Sequence, residues 1–463
     1  MNPHRLSKPV EPLAGSKILV VGLGKTGLSC ARYLHAQGCT VAVTDSRPMP
    51  PELERIRSEL PDVALLLGGF SEQAFDAAEQ IVVSPGVSTA EPPIQRALAA
   101  GVPIVGDVEL FARVVQAPVV GITGSNGKST VTTLLGLMAR EAGRRVAVGG
   151  NLGDPVLDLL AEDIELYVVE LSSFQLETTY SLALQAATVL NLSPDHMDRY
   201  PDMAAYAGAK QRIFSHAQAA VVNRDDLIAS RLADGVGQQI GFTLNAPVEA
   251  GDFGIAEHLG VPWIVRGIGD DRAPLMPITD LLLPGMHNLA NALAGLALGQ
   301  LCGLELPAML RVLRSFRGLA HRGELVANRN EVRWINDSKG TNPGATVAAL
   351  KGLVPNPIRG KAVLIAGGDC KGAKFDGLAA AVRQTARAVI LIGRDAPRLA
   401  QALDGTVELL HADDMDAAVR LAAKAARAGD CVLLSPACAS FDMFDDYQHR
   451  GRAFRDAVQR WAA

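Results

Sequence analysis

Short apolar runs recur along the chain at 17–21, 40–43, 81–83, 117–120, 165–169, 187–190, 332–335, 362–366, 388–392 and 431–434. Each ends in a turn rich in Gly, Ser, Pro, Asp or Asn. Several are followed by segments with apolar residues at helical spacing, notably 28–37, 131–141 and 203–214. Runs that are apolar throughout suit strands buried on both faces of a parallel sheet. The pattern therefore predicts an α/β chain built of doubly wound sheets. Changes in the chemistry of the turns divide it into three domains, 1–106, 107–318 and 319–463.

Composition narrows the class. A chain of 463 residues that is 48% hydrophobic and 20% charged can fill several cores. Its net charge of −5 argues against a nucleic-acid or membrane-surface binder. The first 17 residues lack the apolar centre of a signal peptide, and no apolar run approaches the ~18 residues of a membrane span. The expectation is a cytoplasmic protein with no nucleic acid and no membrane insertion. Six cysteines include no C-x-x-C pair, so the sequence indicates neither a zinc site nor a disulfide framework.

The turn after 117–120 carries the strongest chemistry, TGSNGKST over 123–130. A Gly-rich loop between a strand and a helix points backbone N–H groups at a helix N-terminus, where phosphate is favoured. The general P-loop places Gly five residues before Gly127; this chain has Ile122 there and keeps the tighter G-x-x-G-K-S form. Gly124, Ser125, Asn126, Gly127 and Thr130 would wrap ATP, Lys128 would reach the β- and γ-phosphates, and the Ser129 hydroxyl would face Mg²⁺.

Other turns are less decisive. Gly22-Leu23-Gly24-Lys25-Thr26-Gly27, followed by Asp45 and Arg47, matches a diphosphate-binding fingerprint that serves NAD or a UDP-sugar equally. Ser84-Pro85-Gly86 ends another strand, as a ligand crevice or an ordinary turn. Glu170, at the end of 165–169, stands where a Mg²⁺ ligand belongs. Asp195, His196 and Asp198 cluster after 187–190, whereas Lys210 on the 203–214 helix reads as a surface lysine. Asn288 and Asn291 open an Ala/Leu-rich helix with amides suited to a purine edge. The last four strands end in turns rich in Lys, Ser and Thr, a rim suited to an anionic substrate.

TGSNGKST, ELSSFQLE, DHMDRY, PGMHNLANA, HRGE, NDSKGTNP, GGDCKG and SPACASFD, in this order, resemble the Mur ligases over nearly the whole chain. The resemblance implies a Rossmann-like UDP-binding domain, a central P-loop ATPase domain with a parallel sheet, and a Rossmann-like C-terminal domain. It implies a monomer that adds D-glutamate to UDP-N-acetylmuramoyl-L-alanine during peptidoglycan synthesis, using ATP and two Mg²⁺ ions. Lys25, Thr26, Asp45, Ser46, Arg47, Ser84 and Gly86 would line the UDP site, and Asn151, Phe174 and Gln175 would continue that substrate's path. Lys128, Glu170, His196 and Lys210 would be catalytic. Ser129 and Glu170 would hold the first metal, and His196 with a carbamylated Lys210 the second, which reverses the surface reading of Lys210. Asn288 and Asn291 would face adenine, and Arg322 and Asp337 the phosphates and ribose. Lys339, Thr341, Lys371, Ser440 and Phe441 would serve the incoming glutamate, with Ser338 on the same closing face. Tyr447 replaces an expected Phe, and the cysteines carry no implied role.

Such chemistry needs water excluded from an acyl phosphate, so closure about hinges near Asp107 and Leu319 is expected. Three other readings compete. An NAD-dependent oxidoreductase rests on residues 22–27 alone, and an ATPase without ligase activity would need no amino acid. A related ligase would add L-glutamate or another amino acid.

Overall fold

The structure, a computed structural model, describes residues 14–269, 271–283, 285–353, 360–370 and 372–461. The first sheet consists of β1 (Lys17–Val21), β2 (Thr40–Asp45), β3 (Ala64–Leu67), β4 (Gln80–Val83) and β5 (Ile104–Val105). Its order is β3-β2-β1-β4-β5, parallel throughout. The order reverses between β1 and β4, so their C-terminal ends open a crevice. The turns after β1, β2 and β4 all meet there.

The second sheet takes β6 (Val119–Thr123), β7 (Val146–Gly150), β8 (Leu166–Glu170), β9 (Ala186–Val189), β10 (Ala219–Asn223) and β11 (Gln238–Phe242). It is completed by β12 (Phe253–His258), β13 (Val261–Ile268) and β14 (Asp271–Pro277). The order is β14-β13-β12-β11-β10-β9-β6-β8-β7. It is parallel from β7 to β12, and then an antiparallel meander extends the edge. Because β8, β6 and β9 are neighbours, Glu170, the Gly-rich loop and the 191–199 segment emerge side by side.

The third sheet comprises β15 (Glu324–Arg329), β16 (Val332–Asn336), β17 (Ala362–Gly367), β18 (Ala386–Ile392), β19 (Glu408–His411) and β20 (Cys431–Leu434), in the order β15-β16-β20-β17-β18-β19. Only β15 is antiparallel to its neighbour. Alternate residues of β17 feed opposite cores: Leu364 packs with Leu391 and Leu399, and Val363 with Ile390 and Phe454. That explains why the run 362–366 is apolar without a break.

The domains are joined unequally. One core cluster runs from Val20, Leu28 and Leu34 of the first domain through Phe111 to Tyr167, Leu176 and Leu184 of the second. Ser29 Oγ also donates to Asp158 Oδ1 across that boundary at 2.6 Å. Among the described residues, neither core cluster of the third domain includes a residue of the other two.

Asp107 begins a helix (Asp107–Ala112) that is fastened on the second-domain side. Gly106 N donates to Thr178 O at 3.1 Å, and Tyr180 N and Ser181 N donate to the Glu109 carboxylate at 2.7 and 2.9 Å. The hinge expected near Asp107 therefore has no support here, since bending would tear a shared core. Burial pushes the Asp107 carboxyl up to about 6, against a hydrogen bond from Gln175 Nε2. A carboxyl whose folded value is raised stabilises the fold below about pH 4 and loses that contribution as pH rises towards 6. Asp107→Asn removes the titration. Its stability relative to wild type should improve by on the order of 3 kcal/mol between pH 4 and pH 7, read by urea unfolding. A pH-independent difference would contradict the shift.

Candidate active site

The Gly-rich loop turns because two of its residues take left-handed backbone, Gly124 at φ 147° and Gly127 at φ 85°. Gly127 precedes the helix Lys128–Glu141, and a Cβ there would lie 2.4 Å from Asn291 Oδ1. Lys128 Nζ curls back to donate to Gly124 O (2.9 Å) and Ser125 O (3.1 Å). Ser129 Oγ donates to Glu170 Oε2 at 2.5 Å, and Asn151 Nδ2 donates to the other Glu170 oxygen at 2.6 Å. From the third domain, Arg322 Nη2 donates to Ser129 Oγ at 2.6 Å.

These groups border a central cavity of about 280 Å³ where the second and third domains meet. Ser125, Asn126, Gly127, Phe174, His196 and Lys210 also line it, as do Lys339, Thr341, Ser440 and Phe441. Four basic side chains, Lys128, Lys210, Arg322 and Lys339, thus share it with the carboxylates Glu170, Asp195 and Asp446. Burial, then the neighbouring Arg322, pushes the Lys339 amine down to about 8. Burial also lowers Lys128, opposed by Glu170 and Asp195. Crowded, desolvated cations of this kind fit a polyanion with three or more charges.

Lys210 is no surface residue. It is 1% exposed on the helix Met203–Gln211, its Nζ donating to Gly124 O (3.0 Å) and Thr123 Oγ1 (3.3 Å), above the Tyr206 ring at 4.7 Å. Burial, and secondly Lys128, hold its amine well below the usual lysine value. His196 takes positive φ (57°), and its ring meets Phe174 edge-on at 4.8 Å. Strained backbone in a non-Gly residue is often kept at functional sites.

A second cavity of about 190 Å³ adjoins the first. Thr130, Asn288, Asn291, Arg322 and Asp337 line it, with Leu190, Phe242 and Ala349 supplying apolar walls. Burial pushes the Asp337 carboxyl up to about 7, although Ser435 Oγ donates to it at 2.7 Å. Apolar walls with two amides and a carboxyl among them suit a nucleoside.

The third cavity, about 590 Å³, lies at the first domain's crevice. Lys25, Thr26, Asp45, Ser46, Arg47, Ser84, Gly86 and Gln175 line it, and Asn151 borders both it and the central cavity. Asp45 is already engaged: its carboxylate accepts Leu23 N–H at 2.7 Å and the Arg47 guanidinium at 2.7 and 2.9 Å. Burial works against its charge, but those donors outweigh it and hold the carboxyl below its ordinary value. Gly27 is required by close packing, because a Cβ would meet Gly22 O at 1.8 Å.

Nearly every residue expected from the sequence thus falls on one of three connected cavities. Gly124 lies beneath them, its carbonyl accepting from both lysines. Ser338 points elsewhere: its Oγ donates to Tyr447 O and accepts from Arg450 Nε, which braces the third domain. Lys371 lies outside the described residues. Tyr447 stacks under Lys339, with Nζ 4.1 Å from the ring centre. Sequence reasoning missed Tyr206, Asn342 and His287. Asn342 Nδ2 donates to Asn126 Oδ1 (3.3 Å) and Asp195 Oδ2 (3.1 Å), bridging the domains. Its signal was present in NDSKGTNP. His287 lines the nucleoside cavity, and burial pushes its imidazole down to about 4.

Three linked α/β domains that converge on a nucleotide loop, beside a crevice suited to an anion, define an ATP-dependent enzyme. Comparison with known proteins agrees. Residues 16–106 match the MurD-like N-terminal domain of Mur ligases, 122–299 the Mur ligase middle domain, and 321–438 the Mur ligase glutamate ligase domain. The UDP-N-acetylmuramoylalanine–D-glutamate ligase of Nitrosococcus oceani is 53% identical over 455 residues, covering 98% of this chain and 99% of that one. The protein of the same name from Marinobacter nauticus is 52% identical, covering 96% and 98%. Among solved structures, a UDP-N-acetylmuramate-alanine ligase from Thermotoga maritima shares the fold at TM-score 0.60 and 19% identity, covering 96% of this chain and 99% of that one. The chain belongs to the Mur ligase family.

Proposed function

We propose that the chain couples ATP cleavage to amide formation between D-glutamate and the L-alanyl carboxylate of UDP-N-acetylmuramoyl-L-alanine, a step of peptidoglycan precursor synthesis. The observation that carries this reading is Asn151, shared by the crevice of the first domain and the cavity of the Gly-rich loop. A substrate anchored by its diphosphate in the one would present its far carboxylate in the other. Lys25, Thr26, Ser46, Arg47, Ser84 and Gly86 would hold the UDP end, while Asp45 fixes the turn through Leu23. Gln175 and Phe174 continue along the path.

A carboxylate is a poor acyl donor, so activation must come first. The L-alanyl carboxylate attacks the γ-phosphorus and ADP leaves, giving an acyl phosphate. Lys128 and Arg322 neutralise the charge that would otherwise repel the attacking anion. The neutral amine of glutamate then attacks the acyl carbon. The tetrahedral intermediate expels phosphate and leaves the amide. Lys339, Thr341, Ser440 and Phe441, which face this cavity from the third domain, would receive the glutamate together with Lys371.

Two Mg²⁺ ions belong to this reading, and the residues fit them on one condition. The Ser129 hydroxyl and the Glu170 carboxylate already touch and form a hard oxygen pair. Among the described residues no three His, Cys, Asp or Glu side chains are placed to hold a metal ion, so phosphate and water would complete the first shell. A second ion beside His196 fits only if Lys210 carries a carbamate, whose oxygens would supply the hard ligands that a lysine amine lacks. When bound, the ions supply charge neutralisation on the phosphates. A cytoplasmic location fits this reading, since the substrates would be soluble nucleotides and an amino acid; the monomer comes from the family resemblance alone.

The test is ATP-dependent phosphate release with UDP-N-acetylmuramoyl-L-alanine and D-glutamate, L-glutamate or no amino acid. Release is expected only with D-glutamate, with the product mass raised by one glutamyl unit. Release with L-glutamate would change the substrate, and release without any amino acid would end the ligase reading.

A further inference from the structure

Two of the six cysteines meet in the third domain, with Cys370 Sγ 3.0 Å from Cys438 Sγ. The backbone around them explains why. Asp369 and Ala439 exchange both N–H···O bonds, at 3.0 and 2.8 Å, as an isolated antiparallel bridge. The next pair in register is Cys370 opposite Cys438, a pair not hydrogen-bonded to each other. In such pairs Cα atoms approach to about 4.5 Å and side chains share one face. A disulfide accepts Cα separations of about 4.4–6.8 Å. Bonding therefore needs a small side-chain adjustment and no backbone rearrangement. Both segments are also anchored: Cys370 N donates to Asp395 Oδ2 at 2.8 Å, and Arg450 Nη1 donates to Cys438 O at 3.1 Å.

Access is asymmetric. Cys370 borders a cleft of about 400 Å³ between the second and third domains, which His196, Thr341 and Lys374 also line. Cys438 lies behind it, fully buried. We propose that Cys370 and Cys438 form a reversible redox modification site, oxidised to a disulfide by a small peroxide entering through this cleft. The Cys370 sulfur attacks one peroxide oxygen and the O–O bond breaks. The departing hydroxide takes the thiol proton as water, leaving a sulfenic acid on Cys370. The Cys438 sulfur then attacks that sulfur, and its proton leaves with the hydroxyl as a second water. Two thiols and one hydrogen peroxide thus yield one disulfide and two waters. Contact with Cys370, and then burial, push the Cys438 thiol up, so Cys438 stays protonated and takes no part in the first attack on peroxide; it reacts only through its contact with the Cys370 sulfur.

The bond would weld the turn after β17 to the segment carrying Ser440 and Phe441, which faces the central cavity. The test needs no assumption about substrate. The full chain is treated with hydrogen peroxide, denatured, alkylated and mapped by mass spectrometry. Alkylatable thiols should fall from six to four, with peptides holding Cys370 and Cys438 joined, two hydrogens lighter, and separated by dithiothreitol. Cys370→Ser and Cys438→Ser should each abolish the crosslink. If Cys438→Ser fails to fold, Cys370→Ser at the cleft edge gives the same control. Recovery of both cysteines alkylated, oxidised to sulfonic acid without a crosslink, or paired with other cysteines would overturn the proposal.

Discussion

Lys210→Met is expected to lower ligase turnover by ~10²–10³-fold, while thermal unfolding shifts by only a few degrees. The side chain is buried where a lysine has little reason to be. Its Nζ faces one carbonyl, one hydroxyl and the Tyr206 ring, and among the described residues no carboxylate is hydrogen-bonded to it. Desolvation, reinforced by Lys128, favours the neutral amine. A neutral amine can attack CO₂ with loss of a proton, and the resulting carbamate would be an anion beside the nucleotide loop. Methionine keeps the length and apolar stem but forms no carbamate. Lys210→Arg keeps the positive charge and should lose as much turnover. The decisive control is CO₂: wild-type turnover should fall in carbonate-free buffer and return with bicarbonate, while neither variant responds. A wild-type enzyme indifferent to CO₂ would reduce Lys210 to a brace for the loop.

The fate of Lys210 also marks the limit of what was legible in the sequence. A lone lysine in a helix of ordinary composition looks solvated; only the approach of β6 to that helix buries it. Strands apolar from end to end, such as β17 and β20, were evident because both their faces are covered. The meander β12–β14 was not, because its burial follows no regular period of two and Gly, Pro and charged positions break up its apolar residues. Lys128, Ser129 and Glu170 were readable because their chemistry depends on local turns at strand ends. Asn342 and Tyr206 were not, since their roles arise from contacts across the fold: Asn342 with Asn126 and Asp195, and Tyr206 Oη 3.2 Å from Ser125 Oγ. The turn holding Cys370 gave no hint of Cys438, which lies 68 residues away.

Arg322→Met should be the most damaging single change in the third domain, lowering turnover by about 10²-fold or more. Arg322 combines two tasks. Its guanidinium reaches from the third domain to Ser129 Oγ, and it borders both the central and the nucleoside cavities. Neither core cluster of that domain includes a described residue of the other two, and only the boundary residue Leu319 packs on the second-domain core, so polar contacts and the nucleotide carry most of its attachment. The bond to Ser129 is one such contact and the Asn342 bridge is another. Removing a bridging cation weakens closure and strips positive charge from the site of phosphoryl transfer together. Asn342→Ala removes a bridge without removing charge, so its loss should be about tenfold and confined to closure. Small-angle scattering with ATP bound separates the two effects: both variants should be more extended than wild type, with Arg322→Met the slower at equal extension. If Arg322→Met matched wild type in both shape and rate, closure would have to be driven from elsewhere, and the hinge expected near Leu319 would lose its mechanical basis.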